Sequence, residues 1–142
     1  MQININLVYP LCAMFFLTLI VMLIMFTDRV TAIKKGAMKV GYFKTYNEEL
    51  KPSERVIKST RHFANLFEAP ILFYVACLLG MILPLQSVFF LALAWLYVFA
   101  RAAHAVIHIG PNKLLFRMTA YGIGWLCLAL MWISILVDTL LR

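Results

Sequence analysis

The stretch Arg61-His-Phe-Ala-Asn65-Leu-Phe-Glu68-Ala-Pro70 places three polar residue types at the start of a long apolar run. Arg61, Asn65 and Glu68 are spaced at i, i+4 and i+7, which puts their side chains on one face of a helix. A carboxylate inside hydrocarbon is costly unless it is paired or reaches water, so Glu68 requires a partner. The stretch therefore predicts a membrane-spanning helix with a polar face that serves a function.

The rest of the chain is equally apolar. Of its 142 residues, 64% are hydrophobic and 13% are charged, and the mean hydropathy is +0.90. The apolar residues form long runs rather than amphipathic stripes, which excludes a soluble domain of this size. About 20 apolar residues are needed to span a bilayer. Four runs are long enough, over residues 7–27, 59–83, 87–109 and 114–141.

These runs predict an all-α integral membrane protein, folded as an up-down bundle of four transmembrane helices in a single domain over residues 1–142. The first run has no preceding positive region and no small-residue cleavage site, so we expect it to remain as a helix. The connections after the second and third runs are short, so neighbouring helices must run antiparallel. Pro52-Ser53-Glu54 is typical of a helix start, which extends the second helix beyond the bilayer.

The basic residues predict the orientation of the bundle. By the positive-inside rule, the loop over residues 28–58 faces the cytoplasm, and both termini face away from it. Topology and anionic lipid headgroups account for this charge better than nucleic acid does. Nine of the 13 Lys and Arg residues lie in this loop or at its edge: Arg29, Lys34, Lys35, Lys39, Lys44, Lys51, Arg55, Lys58 and Arg61.

Neither the cysteines nor the histidines form a metal-binding pattern. Cys12, Cys77 and Cys127 fall inside predicted spans without a CxxC motif, and we interpret them as apolar packing residues. His104 and His108 have i, i+4 spacing but lack the glutamate of H-E-x-x-H, and neighbouring arginines oppose a cation. We therefore expect no metal, and two histidines that form hydrogen bonds in a polar pocket.

Polar residues recur on the third and fourth predicted helices in the same leaflet, where Glu68 and Arg101 each lie roughly 10 to 12 Å deep. One interpretation is that the polar groups pair with each other, Glu68 with Arg101 or Arg61 and Asn65 with a histidine. Such contacts stabilise membrane helices by only about 0.6 to 2 kcal/mol. Several arginines facing one carboxylate favour a site for an anionic ligand instead. The residues on the third and fourth helices are Arg101, His104, His108, Arg117 and Tyr121.

Three motifs resemble the MAPEG family, the membrane-associated proteins in eicosanoid and glutathione metabolism. They are R-x-x-x-N-x-x-E-x-P on the second helix, R-x-x-H near the end of the third and R-x-x-x-Y at the start of the fourth. The similarity covers nearly the whole chain. The pattern from Asn65 to Tyr74, with Ala94-Trp95 and the spacing of His104, His108 and Asn112, is similar to a bacterial branch of unassigned activity.

The resemblance implies a homotrimer in the bacterial inner (plasma) membrane, with glutathione as co-substrate between subunits near the cytoplasmic side. It implies a transferase or peroxidase acting on a lipophilic electrophile that arrives through the bilayer. Asn65 and Glu68 would hold the peptide, and Arg117 and Tyr121 would lie near the sulfur as catalytic residues. The further pocket residues implied are Arg61, Arg101, His104 and His108.

The chain departs from characterised members at three positions. Ala64 stands where an arginine or glutamine often contacts a glutathione carboxylate, His108 replaces a tyrosine, and Met118 stands where one branch has a serine. The differences at Ala64 and Met118 favour an alternative, a non-enzymatic membrane protein that binds an anionic lipid or small anion in the same pocket, or docks on a membrane complex. A small transporter is disfavoured, because only Ser134 and Asp138 continue a polar pathway.

Overall fold

The computed structural model describes residues 4–42, 52–83, 85 and 87–141. Residues 43–51 of the predicted loop, including Lys44 and Lys51, lie outside the described residues, as do Pro84 and Gln86 of the second connection. Every regular element in the described ranges is a helix. These helices are a short 3₁₀ helix (Ile5–Leu7), α1 (Val8–Lys34), α2 (Glu54–Asn65), α3 (Ala69–Ile82), α4 (Val88–Ile109) and α5 (Leu114–Leu140).

Four helical segments are long and apolar enough to cross a membrane, which confirms the four predicted spans. They are Ile5–Lys34, Glu54–Ile82, Val88–Ile109 and Leu114–Leu140. The first continues well past the predicted end at residue 27. The predicted helix start is also confirmed, because the Ser53 side chain accepts a hydrogen bond from the Val56 N–H and so caps α2.

The second span is interrupted, and the prediction of one continuous helix over residues 59–83 is wrong. Helix α2 ends at Asn65, α3 begins at Ala69, and Glu68 lies between them with φ −96° and ψ −101°. Pro70 explains the interruption, because it has no N–H to donate to the Leu66 carbonyl and its ring would clash there. In the first turn of α3 the missing N–H leaves no bond unmade.

Spans that follow each other in the bundle run antiparallel, whereas α3 and α5 run in the same direction. Helix α4 contacts α5 most extensively, α1 lies along the α2 segment, and α2 and α3 contact α4 and α5 respectively. As the chain reverses, the C-terminal ends of α1 and α4 come to the same end of the bundle as the N-terminal ends of α2 and α5. We call this the basic end, because the residues next to it include Lys34, Lys35, Arg55, Lys58 and Lys113.

The core of the bundle is apolar and closely packed. Phe73 and Tyr97 stack with ring centroids 4.5 Å apart, and a Cβ atom on Gly80 would lie 2.8 Å from the Phe90 ring. Cys77 and Cys127 are buried in this core as predicted, and all three cysteines are free. Cys12 is exposed instead, because it faces outward from α1, and its assignment as a packing residue is wrong within this chain.

Candidate functional site

Arg101 lies at the centre of the polar residues that α2, α4 and α5 place at one level of the bundle, which we call the polar level. Its side chain is 1% exposed, and one terminal nitrogen donates to both the backbone carbonyl (3.3 Å) and the side-chain oxygen (2.5 Å) of Asn65. Because α2 ends at this residue, the carbonyl can accept from Arg101 as well as from the Glu68 N–H over 3.4 Å. The Arg101 guanidinium also lies 5.6 Å from the centroid of the Tyr121 ring. Arg101 therefore connects α2 and α5 to α4.

Asn65 joins the predicted acid to this arginine. Its amide nitrogen donates to a Glu68 carboxylate oxygen over 2.9 Å, while its amide oxygen accepts from Arg101. The interpretation that Glu68 pairs directly with Arg101 or Arg61, and Asn65 with a histidine, is therefore wrong. The interruption turns Glu68 toward Asn65 and leaves its side chain exposed. Within the described ranges, ion pairs join Arg55 to Asp28 and Lys58 to Glu54.

A cavity of about 220 Å³ lies next to this network, between α2, α4 and α5. Five of the predicted site residues line it, together with Met118, one of the three departures from the family pattern. Arg101 is buried and does not line the cavity, and Arg61 and Glu68 are exposed and do not line it either. The lining side chains are those of Asn65, His104, His108, Arg117, Met118 and Tyr121.

Arg117 is held by the turn that precedes its helix. One terminal nitrogen donates to the Asn112 side-chain oxygen over 2.9 Å. Asn112 has φ +51°, a left-handed conformation that asparagine tolerates better than most residues. Sequence analysis did not assign Asn112 to the site. Its position in the turn Gly110-Pro-Asn-Lys113, five residues before Arg117, is the signal that could have identified it.

His62 is a second residue that sequence analysis missed. It is completely buried, and its ring centroid lies 5.3 Å from that of His104 and 5.2 Å from that of His108. The latter two rings are 5.5 Å apart. The available signal was that His62 and His108 both fall next to the predicted cytoplasmic ends of their helices. Among the described residues, no group of three or more His, Cys, Asp or Glu is placed to hold a metal ion.

The electrostatic balance of the site is positive. The positive charges of the Arg61, Arg101 and Arg117 guanidinium groups interact electrostatically with the histidines of the site, and the negative charge of Glu68 interacts with Arg101. A guanidinium in a poorly hydrated cavity stabilises a negative charge more strongly than it does in water. The cavity therefore suits a ligand that carries carboxylate groups or a reactive anion.

The fold and the site together define a helical membrane protein with four spanning segments and a polar cavity among three of its helices. Residues 7–137 match the MAPEG family, and the chain belongs to it. The resemblance seen in the sequence motifs is thus confirmed over nearly the whole chain. The comparison with curated proteins finds no match.

Proposed function

We propose that this protein is a glutathione-dependent transferase or peroxidase that acts on lipophilic electrophiles. The observation that carries the proposal is the cavity lined by Asn65, His104, His108, Arg117 and Tyr121. A tripeptide with two carboxylates, an amino group and a thiol requires cationic, acidic and amide partners close together. The chain places such groups at one level of three adjacent helices.

Each group has a distinct role in this proposal. Asn65 and the adjacent Glu68 bind the peptide, with the carboxylate next to the glutathione amino group. Arg117 stabilises the thiolate, because a thiol has an ordinary pKa of about 8.5 and is mostly protonated near neutral pH. Tyr121 is a hydrogen-bond donor beside the sulfur, and its ring packs 5.5 Å from His104.

The assembly proposed for this site is a homotrimer with the basic end facing the cytoplasm. Glu68 is exposed on the surface of the protomer at membrane depth, and an uncovered carboxylate is unfavourable there. A neighbouring subunit that covers the cavity edge would remove Glu68 from lipid and complete the ligand site. The lipophilic electrophile would then enter from the bilayer between subunits.

The test is glutathione binding and thiolate absorbance, measured on the protein in nanodiscs. We expect Arg117→Ala to reduce thiolate formation by about a hundredfold, in line with removing one charge-stabilising group. Arg117→Lys should recover part of the loss. Lys113→Ala is the matched control, because it removes a nearby basic residue outside the cavity lining. Absence of glutathione binding at millimolar concentration would exclude the proposal.

A second candidate function is binding of an anionic lipid headgroup or small anion in the same cavity. The observation that favours it is Arg61, whose charge acts on the lining residue His108 although Arg61 does not itself line the cavity. Arg61 is exposed and makes no hydrogen bond or ion pair within the described part of the chain. Native mass spectrometry should then show retained lipid, with less retained by Arg61→Ala and Arg117→Ala. A lipid-free protein that turns over glutathione would exclude this candidate.

A further inference from the structure

The histidine cluster, defined as His62, His104 and His108, contains buried nitrogen atoms without a protein partner. These are both ring nitrogens of His62 and Nδ1 of His108. Buried polar atoms almost always have a hydrogen-bond partner, which is ordered water where no protein group is available. The cluster is therefore a place where water and protons can be exchanged inside an otherwise apolar bundle.

The hydrogen bond of His104 defines its tautomer. Its Nδ1 lies 3.1 Å from the backbone carbonyl oxygen of Arg117, and a carbonyl oxygen only accepts hydrogen bonds. Nδ1 must therefore carry the hydrogen in the neutral ring, so Nε2 has the free lone pair. Because His104 also lines the cavity, this nitrogen is part of a side chain at the proposed ligand site.

The two histidines of the cavity wall are the proton acceptors available to a ligand there. The other lining residues are an arginine, a tyrosine, an asparagine and a methionine, none of which accepts a proton near neutral pH. Glu68, the acid nearest to this level, is bonded to Asn65 and does not contribute to the lining. An imidazole is therefore the lining group that can accept the proton of a thiol bound in the cavity.

The charges around the cluster determine where the proton goes next. The positive charges that interact with the three histidines are those of Lys58 and Arg61 on α2, Arg101 on α4 and Arg117 on α5. Cations this close disfavour a lasting positive charge on the cluster, so a proton accepted there is passed on rather than held. His108 is half-buried and lies about one turn closer to the basic end than His104. The favourable direction for the proton is toward that end.

We propose that His104 removes the thiol proton of bound glutathione, and that His62 and His108 conduct it to water at the basic end. The S–H bond breaks and its electron pair stays on sulfur, an N–H bond forms at Nε2, and loss of that proton to water restores the neutral ring. The inference rests on the proposed function, since it takes glutathione as the bound thiol. His104 is the catalytic residue, and His62, which does not line the cavity, is a positioning residue.

Stopped-flow mixing of the protein in nanodiscs with glutathione tests the proposal, because a base sets the rate of thiolate formation rather than its final amount. We expect His104→Gln to slow thiolate appearance by about a hundredfold, the usual contribution of a general base. His62→Phe preserves the ring packing and should slow it by about tenfold. The final thiolate absorbance at saturating glutathione should not change, and added imidazole should restore part of the rate.

Tyr97→Phe is the matched control, because it also removes a buried polar atom without a partner but lies outside the histidine cluster. It should react at the wild-type rate. Wild-type rates in both histidine variants, with glutathione bound and thiolate formed, would overturn the proton path and leave the proposed function standing. Failure of the wild type to bind glutathione would overturn both. If His104→Gln does not fold, the rate of thiolate formation in His62→Phe, with and without added imidazole, tests the proton path.

Discussion

Asn65 holds the polar level together through three hydrogen bonds of a single residue. Its amide binds Glu68 on one side and Arg101 on the other, and its backbone carbonyl accepts a second bond from Arg101. A buried guanidinium that loses such partners is strongly destabilising, because its charge is then left uncompensated. Asn65 is therefore as important for stability as it is for the proposed ligand.

The first prediction separates these two roles of the Asn65 network. Asn65→Ala should lower the free energy of unfolding by about 2 kcal/mol, because Arg101 loses one charge-assisted hydrogen bond. Glu68→Gln should lower it by less than about 1 kcal/mol, since the Glu68 side chain is exposed. Unfolding in detergent measures both. Equal destabilisation by the two substitutions would contradict the central position given to Asn65.

A second prediction concerns the contact that holds Arg117. Asn112→Gly removes the side-chain acceptor but tolerates φ +51°, so we expect it to reduce thiolate formation with little change in stability. Asn112→Ala removes the same acceptor and adds the strain of a left-handed residue, about 1 kcal/mol. Thiolate absorbance and melting temperature, measured on both variants, distinguish positioning from strain. Unchanged thiolate in Asn112→Gly would show that the hydrogen bond does not position Arg117.

Single residues were predicted where helical spacing alone brings them together. Arg101, His104 and His108 share α4, and Arg117 and Tyr121 share α5, so their common level followed from 3.6 residues per turn. His62 and Asn112 were missed for physical reasons. His62 joins the other histidines only through the packing of α2 against α4, which spacing along one helix does not reveal. Asn112 reaches Arg117 only because of the turn that it adopts.

Among the elements, the interrupted second span shows what an apolar run does and does not reveal. Its length predicted the span, because hydropathy needs only composition. The interruption depends on Pro70 and also on a tertiary partner, since Arg101 binds the carbonyl that is available where α2 ends. Such a partner lies 36 residues away in the chain and has no local signature. The same is true of the connection between Glu68 and Asn65.

The close approach of elements at Gly80 gives a third prediction. A Cβ atom there would lie 2.8 Å from the buried Phe90 ring and 3.1 Å from Leu7. Gly80→Ala should therefore destabilise the bundle by about 1 to 3 kcal/mol through overpacking. Gly122→Ala is the matched control, because a Cβ at Gly122 meets no atom within 4 Å. Thermal unfolding in detergent that gives both variants the same melting temperature would argue against tight packing at Gly80.

At the scale of the whole molecule, the bundle places polar and apolar surfaces in different regions. The outward faces of the helices carry large apolar side chains such as Phe15, Phe26, Phe99 and Leu126, as expected for surfaces in contact with lipid or a neighbouring subunit. The polar cavity lies close to the basic end. This separation agrees with a membrane protein whose polar cavity lies near one end of the bundle.

The fourth prediction is the orientation of the molecule. Reporter fusions to the C-terminus should be active on the non-cytoplasmic side, because basic residues concentrate in the connection between α1 and α2. Replacing Lys34, Lys35 and Lys39 by glutamine should weaken this preference. Exchange of the acidic residue Glu54 for glutamine is a control, since acidic residues contribute little to orientation. A cytoplasmic reporter signal from the wild-type fusion would contradict the predicted topology.

The interrupted span also has a consequence for biosynthesis. Helix α3 has 14 residues, which cover about 21 Å at 1.5 Å per residue, less than the hydrocarbon thickness of about 30 Å. The polar end of α2 must therefore lie within the bilayer to complete the crossing. The Asn65 side-chain oxygen has a hydrogen-bond partner only when α4 supplies Arg101. We expect this segment to integrate stably into the membrane only after α4 has been synthesised.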